Sequence, residues 1–529
     1  MNERSKRDET LSRQLTPDDA RRRPQSRAYH RYARSLRPRL ATARRKLSTR
    51  AHPVSTSFVL VLAAAAALAL SATGCGEGSS PGAAGASVAP ASSQVFVSVD
   101  TSFDSANWSA GRALLGKFPD GDRAVEWIVG ELGGKGVDFD DDVKPALGPE
   151  TDFVALDVTG EGKVVGLTQP DDGAKLDALL AKSDEPLVSR EIDGWVAFSD
   201  SEANLDEFER LRADGTLEGD GDYQKVSGKV VDGGIATVYV AGSVLDSTPL
   251  AGLFGSDTPS LAFSLDPQED GIHLEGAASP ATGDLFSDEF SAELPGQVPG
   301  GAFVYAGAND LERQLGTLRD VLAEVAPGIE RDIGRAEAEI GVSLDEDVFP
   351  LFSAESALYM RPGFPIPEVT IVTQVDDEQG ALAVLDKLAG EVAEYYGTAD
   401  LESLDIDGVQ AKELAINRFF SVFYAAFDGK LVITTSREGI TDLRADDGRL
   451  ADDEAFKDAT EAAGMPDETT GFLYVDLDQA LPVLSGLMGF SGQAAPDWLG
   501  RNLEPFQSLV LYGERDGDVA RLVGLLSIQ

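Results

Sequence analysis

The chain has 529 residues, with 90 Asp+Glu against 45 Lys+Arg and a formal net charge of −45. A surface this negative repels nucleic acid and anionic head groups, so neither is an expected partner. Its single cysteine excludes a disulfide within the chain, leaving buried core as the source of stability.

The charge is uneven. Residues 1–52 carry sixteen Lys+Arg and five acids, leaving 29 basic and 85 acidic residues beyond. Residues 1–53 read as a basic, disordered n-region, either a cytoplasmic tail or upstream sequence from a wrongly chosen start codon. The apolar run Phe58–Leu70 follows, then Ser71-Ala72-Thr73-Gly74 and Cys75. Basic region, short apolar core, small residues and cysteine is the order of an export signal, and the cysteine makes it resemble a bacterial lipoprotein signal. Residues 54–74 are then the signal, Gly74 the residue before cleavage and Cys75 the lipid attachment site. Ala72 stands where such signals usually carry Leu. The alternative is an uncleaved membrane helix over Val54–Ala72 with Cys75 incidental. Both place the acidic part outside the cell membrane, attached through an N-terminal lipid or helix.

Residues 75–94 read as a flexible tether, since Gly82–Ser93 (GAAGASVAPASS) lacks charge and large apolar residues. Beyond it the sequence repeats in order. Gly136–Val143 matches Gly341–Val348, Pro145 matches Pro350, and Thr168-Gln169 matches Thr373-Gln374. Asp193-Gly194 matches Asp428-Gly429, and Val238-Tyr239-Val240 matches Leu473-Tyr474-Val475. Two tandem copies are therefore expected, 95–285 and 299–529, joined near Glu293–Gly301. Copy 2 has about thirty extra residues, with Phe419–Ala426 read as an added strand.

Within each copy, alternating runs predict strands at Phe153–Val158, Lys163–Leu167, Trp195–Phe198 and Ala236–Val240. The 3.6-residue spacing predicts helices over Asp122–Leu132 and Leu311–Val325. Asp171-Asp172 and Asp376-Asp377 stand where helix N-caps are wanted, and the Asp-Gly pairs are hairpin turns. The fold class is α+β, each copy a mixed helix and antiparallel-sheet unit.

The segment Phe139 to Gly148, read as Phe-x-x-Asp-Val-x-Pro-x-Leu-Gly and preceded by the opening VFVSVD strand, resembles a bacterial family of exported proteins, the domain of unknown function 3352. The likeness covers most of residues 94–529 and is best over Gly136–Val154. Copy 2 departs from it, with Phe352-Ser353 in place of Leu147-Gly148. The resemblance implies an extracytoplasmic, often membrane-attached protein with no assigned reaction.

Reactive chemistry is sparse. His273 is the only histidine after the signal, and its counterpart in copy 2 is Arg521, a pattern of structure and not of general-base catalysis. No phosphate-binding glycine loop or nucleophile elbow occurs, and no cofactor is expected. Asp140 and Asp142, with Asp345 and Asp347, are weak calcium candidates, lacking the spacing of a known loop; a solvated turn is the simpler account. Two function classes remain. One is a non-catalytic, lipid-anchored module that binds an envelope protein or ligand in the groove between the copies. The other is a carboxylate-dependent hydrolase of glycosidase type, which needs a converging acid pair in an open cleft and aromatic platforms for sugar.

Overall fold

The computed structural model describes residues 83–529, apart from 122, 124–136, 159–161, 184–186, 255–256, 284–285, 327, 364–365, 397–399, 418–419, 446–447 and 491–500. The predicted helix at Asp122–Leu132 and the signal around Cys75 lie outside the described residues.

In chain order the first strands are β1 (Val95–Asp100), β2 (Glu150–Asp157), β3 (Lys163–Thr168), β4 (Val188–Ile192), β5 (Trp195–Ser199), β6 (Ala236–Val240), β7 (Ser260–Pro267) and β8 (Gly271–Ser279). Two-residue β9 (Phe290–Ser291) follows, then β10 (Val304–Ala308), β11 (Ser356–Arg361), β12 (Glu368–Gln374), β13 (Asp400–Ile406), β14 (Val409–Asn417), β15 (Phe420–Phe427) and β16 (Lys430–Thr434). Another two-residue strand, β17 (Glu468–Thr469), precedes β18 (Gly471–Asp476), β19 (Phe506–Asp516) and β20 (Val519–Ile528).

Strands β9 and β17 pair with each other. The other eighteen form one antiparallel sheet. Reading across it, the order is β4-β5-β3-β2-β1-β6-β7-β8, then β20-β19-β18-β10-β11-β12-β16-β15-β14-β13. The sheet changes halves at β8–β20, where Gly276 faces Leu522 and His273 faces Leu525. With helices interspersed among hairpin-linked antiparallel strands, the fold is α+β as expected.

The hairpin turns follow from local chemistry. Asp193-Gly194, Asp407-Gly408 and Asp428-Gly429 all have positive φ at both positions. This is the conformation a tight two-residue hairpin needs, and Asp-Gly reaches it at low cost. Phe420–Phe427 is a strand, and β15 meets β16 across Asp428-Gly429 as β4 meets β5 across Asp193-Gly194. The strands beyond are the hairpin β13–β14.

Two expected connectors are part of the core. Ala84–Ser87 forms a 3-10 turn, and Ala86, Val88 and Ala89 pack with Phe96, Val154 and Leu205. The segment lacks large side chains because its backbone must lie close to the sheet. A Cβ on Gly85 would stand 1.7 Å from Asp152 Oδ2. The joint near Glu293–Gly301 is equally folded. Leu294 and Val298 are fully buried beside Tyr305 and Leu450. Each such apolar side chain contributes about 1.5–3 kcal/mol on burial, enough to hold a short segment that composition alone marks as a linker.

Candidate functional site

The seam between the two halves of the sheet carries a shallow groove of about 230 Å³. One row of cross-strand neighbours builds it: Phe263 on β7, Gly276 on β8, Leu522 on β20 and Gly513 on β19. Large residues alternate with glycines: Phe263 overhangs the space at Gly276, and Thr470 lies over that at Gly513. A Cβ on Gly276 would stand 3.1 Å from the Phe263 ring. Phe263 and Leu522 remain 43% and 45% exposed, uncommon for large apolar residues in the middle of a sheet. Phe286 and Leu261 extend the apolar lining, and Arg515 and Arg521 add positive charge at it. The Arg515 guanidinium donates to the carbonyls of Gly517, Phe286 and Ala281. Arg521 donates to Glu514 and to the Lys229 carbonyl. The residues lining this groove include no Asp, Glu or His.

The carboxyls that are perturbed lie elsewhere. Glu150 and Asp152 share one face of β2 with Val154 and Leu156, and all four are buried. Glu150 accepts the Gly85 N–H through Oε1 at 3.0 Å. Its Oε2 and both Asp152 oxygens are buried with no hydrogen-bond donor. Burial raises the Glu150 pKa; burial, then the Glu150 charge, raises that of Asp152 far above the carboxylate range. In the other half Glu355 is also buried and raised by desolvation, yet both its oxygens are satisfied by the N–H groups of Glu293 and Leu294. Sequence reasoning misses the pair because the predicted strand, Phe153–Val158, starts after both acids. The signal was present: two acids at alternate positions, in register with Val154 and Leu156.

A further buried acid, Glu368, is paired. Arg361 donates to both its oxygens at 2.9 and 3.2 Å, and Ser436 adds a hydroxyl donor.

The calcium candidates sit in two matching π-turns, Phe139–Val143 and Leu344–Val348. Asp142 Oδ2 accepts the Asp138 N–H at 2.8 Å, and Asp347 Oδ2 accepts the Ser343 N–H at 2.8 Å. In return Asp138 and Ser343 accept from Asp141 and Glu346. This is a reciprocal cap stretched by one residue to suit the wider turn. Asp142 also pairs with Lys182, and Asp345 with Arg319; Asp140 is exposed on the same turn. Among the described residues no three His, Cys, Asp or Glu side chains are grouped to hold a metal. Replacing Ser343 by Ala removes one cap bond and is expected to cost about 1 kcal/mol in urea unfolding. Calcium should leave that midpoint unchanged, whereas a calcium-dependent shift would mean that the turn ligates.

An acid-lined groove of about 830 Å³ lies beside the second π-turn, with Asp347, Asp376, Asp377 and Asp428 facing Lys387 and Lys430. Two of its acids serve local turns: Asp377 accepts the Gly380 N–H and Asp347 that of Ser343. His273 lies on β8 outside the seam groove, its Nε2 3.0 Å from Asp270 Oδ1. Trp108 and Trp195 are core residues at 1% and 4% exposure, so neither offers a sugar platform. Trp127 and Trp498, like Cys75 and Gly74, lie outside the described residues. Among the described residues no helix is long and apolar enough to cross a membrane.

No curated protein and no solved structure matches the chain. A family model described as "Protein of unknown function (DUF3352)" matches residues 163–497, well over half the sequence. The match begins after Gly136–Val154, so the segment expected to carry the likeness best falls outside it. By the extent of that match, the chain belongs to the DUF3352 family of proteins of unknown function.

Proposed function

We propose that this protein is an exported, lipid-anchored binding module without catalytic activity, built from two copies of one α+β unit whose seam is the binding surface. The apolar, acid-free lining of the seam groove carries this reading. A hydrolase would need its carboxyl pair open to substrate, and Glu150 and Asp152 are 3% and 0% exposed.

The duplication draws support from the strand order, which runs outward from the seam in the same sequence on both sides. It also draws support from detail outside the matched motifs. Pro90 bridges Thr216 and Pro299 bridges Arg449. The Leu217 N–H donates to the Ala89 carbonyl, and the Leu450 N–H to that of Val298. On this reading the copies begin near residues 83 and 292, earlier than 95 and 299, because each opens with its buried 3-10 turn.

A groove of about 230 Å³ is small beside ligand pockets of roughly 300–1,000 Å³. It suits an apolar side chain of a partner protein, and Arg515 favours a carboxylate next to that side chain. Leu522→Asp should leave folding within about 0.5 kcal/mol, since the residue is half exposed. It should also lower partner retention at least tenfold in envelope extracts; unchanged retention would exclude the groove. For the anchor, Cys75→Ser is expected to abolish processing and lipidation, leaving the basic n-region attached in intact-mass spectra. An unlipidated Cys75 in membrane-extracted wild-type protein would instead favour the uncleaved helix.

A further inference from the structure

The buried pair Glu150–Asp152 has no use in a binding surface at the seam, and its geometry calls for a proton. Two carboxylates on one strand face, sealed from water with three oxygens lacking donors, cannot both be ionised at reasonable cost. A proton on one carboxyl supplies the donor the other lacks. What seals the pair is the segment 83–93. Gly85 donates its N–H to Glu150 and lies against Asp152 so closely that no side chain fits.

We propose that Glu150 and Asp152 form a one-proton lock holding residues 83–93 against the core, and that loss of the proton frees this segment. Other groups act on the pair from each packed element. Ser98 on β1 stands directly across from Asp152 in the strand pair. Tyr223, from the helix Gly221–Ser227, faces them with a phenol pushed up to about 12 by burial and by the Asp152 charge. Asp232 also acts on Tyr223. The 3-10 turn offers backbone N–H only. None of these groups is cationic, so none replaces the proton. In the other half Ala357, two residues after Glu355, faces Val372, and Glu355 already has two N–H donors; that half needs no such proton.

Release would lengthen the link to the membrane by eleven residues, about 36 Å when extended. That consequence rests on the anchor proposed above; the lock itself does not. Folding raises the affinity of the pair for its proton. The closed segment is therefore favoured fully below the ordinary carboxylate range and loses that advantage as pH rises through the raised value of the pair. Within that window the open fraction grows up to tenfold per pH unit.

Hydrogen exchange of the full chain tests this through the amides of Ala86, Val88, Ala89 and Ala91, which are hydrogen-bonded when the segment is closed. After correction for intrinsic rates, their protection should fall up to tenfold per pH unit in the wild type. It should stay flat in Asp152→Asn, whose amide supplies a donor without titrating. Asp152→Ala, which leaves Glu150 alone with the Gly85 N–H, serves as the second variant should the first fold poorly. Glu355→Gln should leave these amides unchanged. A wild type without pH slope, or a slope that persists in both Asp152 variants, would overturn the lock.

Discussion

Gly148→Ala is expected to destabilise the protein by about 3 kcal/mol, the upper end of the cost of forcing extra volume into a packed site. A Cβ there would stand 1.8 Å from the Gln169 carbonyl oxygen and 2.6 Å from its carbon. Both atoms belong to backbone, at the end of β3, so no rotamer change relieves the collision. Thr168 adds to the constraint, because its hydroxyl accepts the Gly148 N–H and donates to the Glu150 carbonyl. On the two-copy reading proposed above, the matching position is Ser353, whose hydroxyl donates to the Pro350 carbonyl. Denaturant unfolding gives the test, and a loss below 1 kcal/mol would mean that the β3 end is free to move.

Arg361→Met should cost about 3 kcal/mol, because it strands Glu368, which is 5% exposed, without its cation. Arg361 is itself only 16% exposed and also pairs with Asp442. Adding Glu368→Leu removes the orphaned charge and is expected to restore most of the loss, since a buried ion pair and an apolar pair of similar size are nearly equivalent in stability. A double variant no better than Arg361→Met would show that the pair holds the structure through geometry that apolar packing cannot supply.

What the sequence made legible was periodic. Ala236–Val240 and Leu311–Val325 are the observed elements, and Asp172 accepts the N–H groups of Ala174 and Lys175 at a helix start, as its position suggested. Segments governed by close approach were misread. Residues 83–93 lack large side chains not because they are free but because Gly85 must pass over Asp152. Similarly, β2 begins three residues before its predicted start, since Glu150 and Asp152 look like loop until their burial is seen. The seam groove was expected only as a place between copies. Its residues, Phe263, Gly276, Leu522 and Gly513, come from four strands up to 259 positions apart, and only the β8–β20 pairing brings them together.

The most direct test of the account is photo-crosslinking in the native envelope from a benzophenone amino acid placed at position 522, with position 387 in the acid-lined groove as the comparison. A binding module that works through the seam gives a discrete protein adduct from 522, absent from 387 and lost when Phe263 is changed to Asp. Adducts from 387 alone, or none from 522 in a folded and anchored protein, would contradict it.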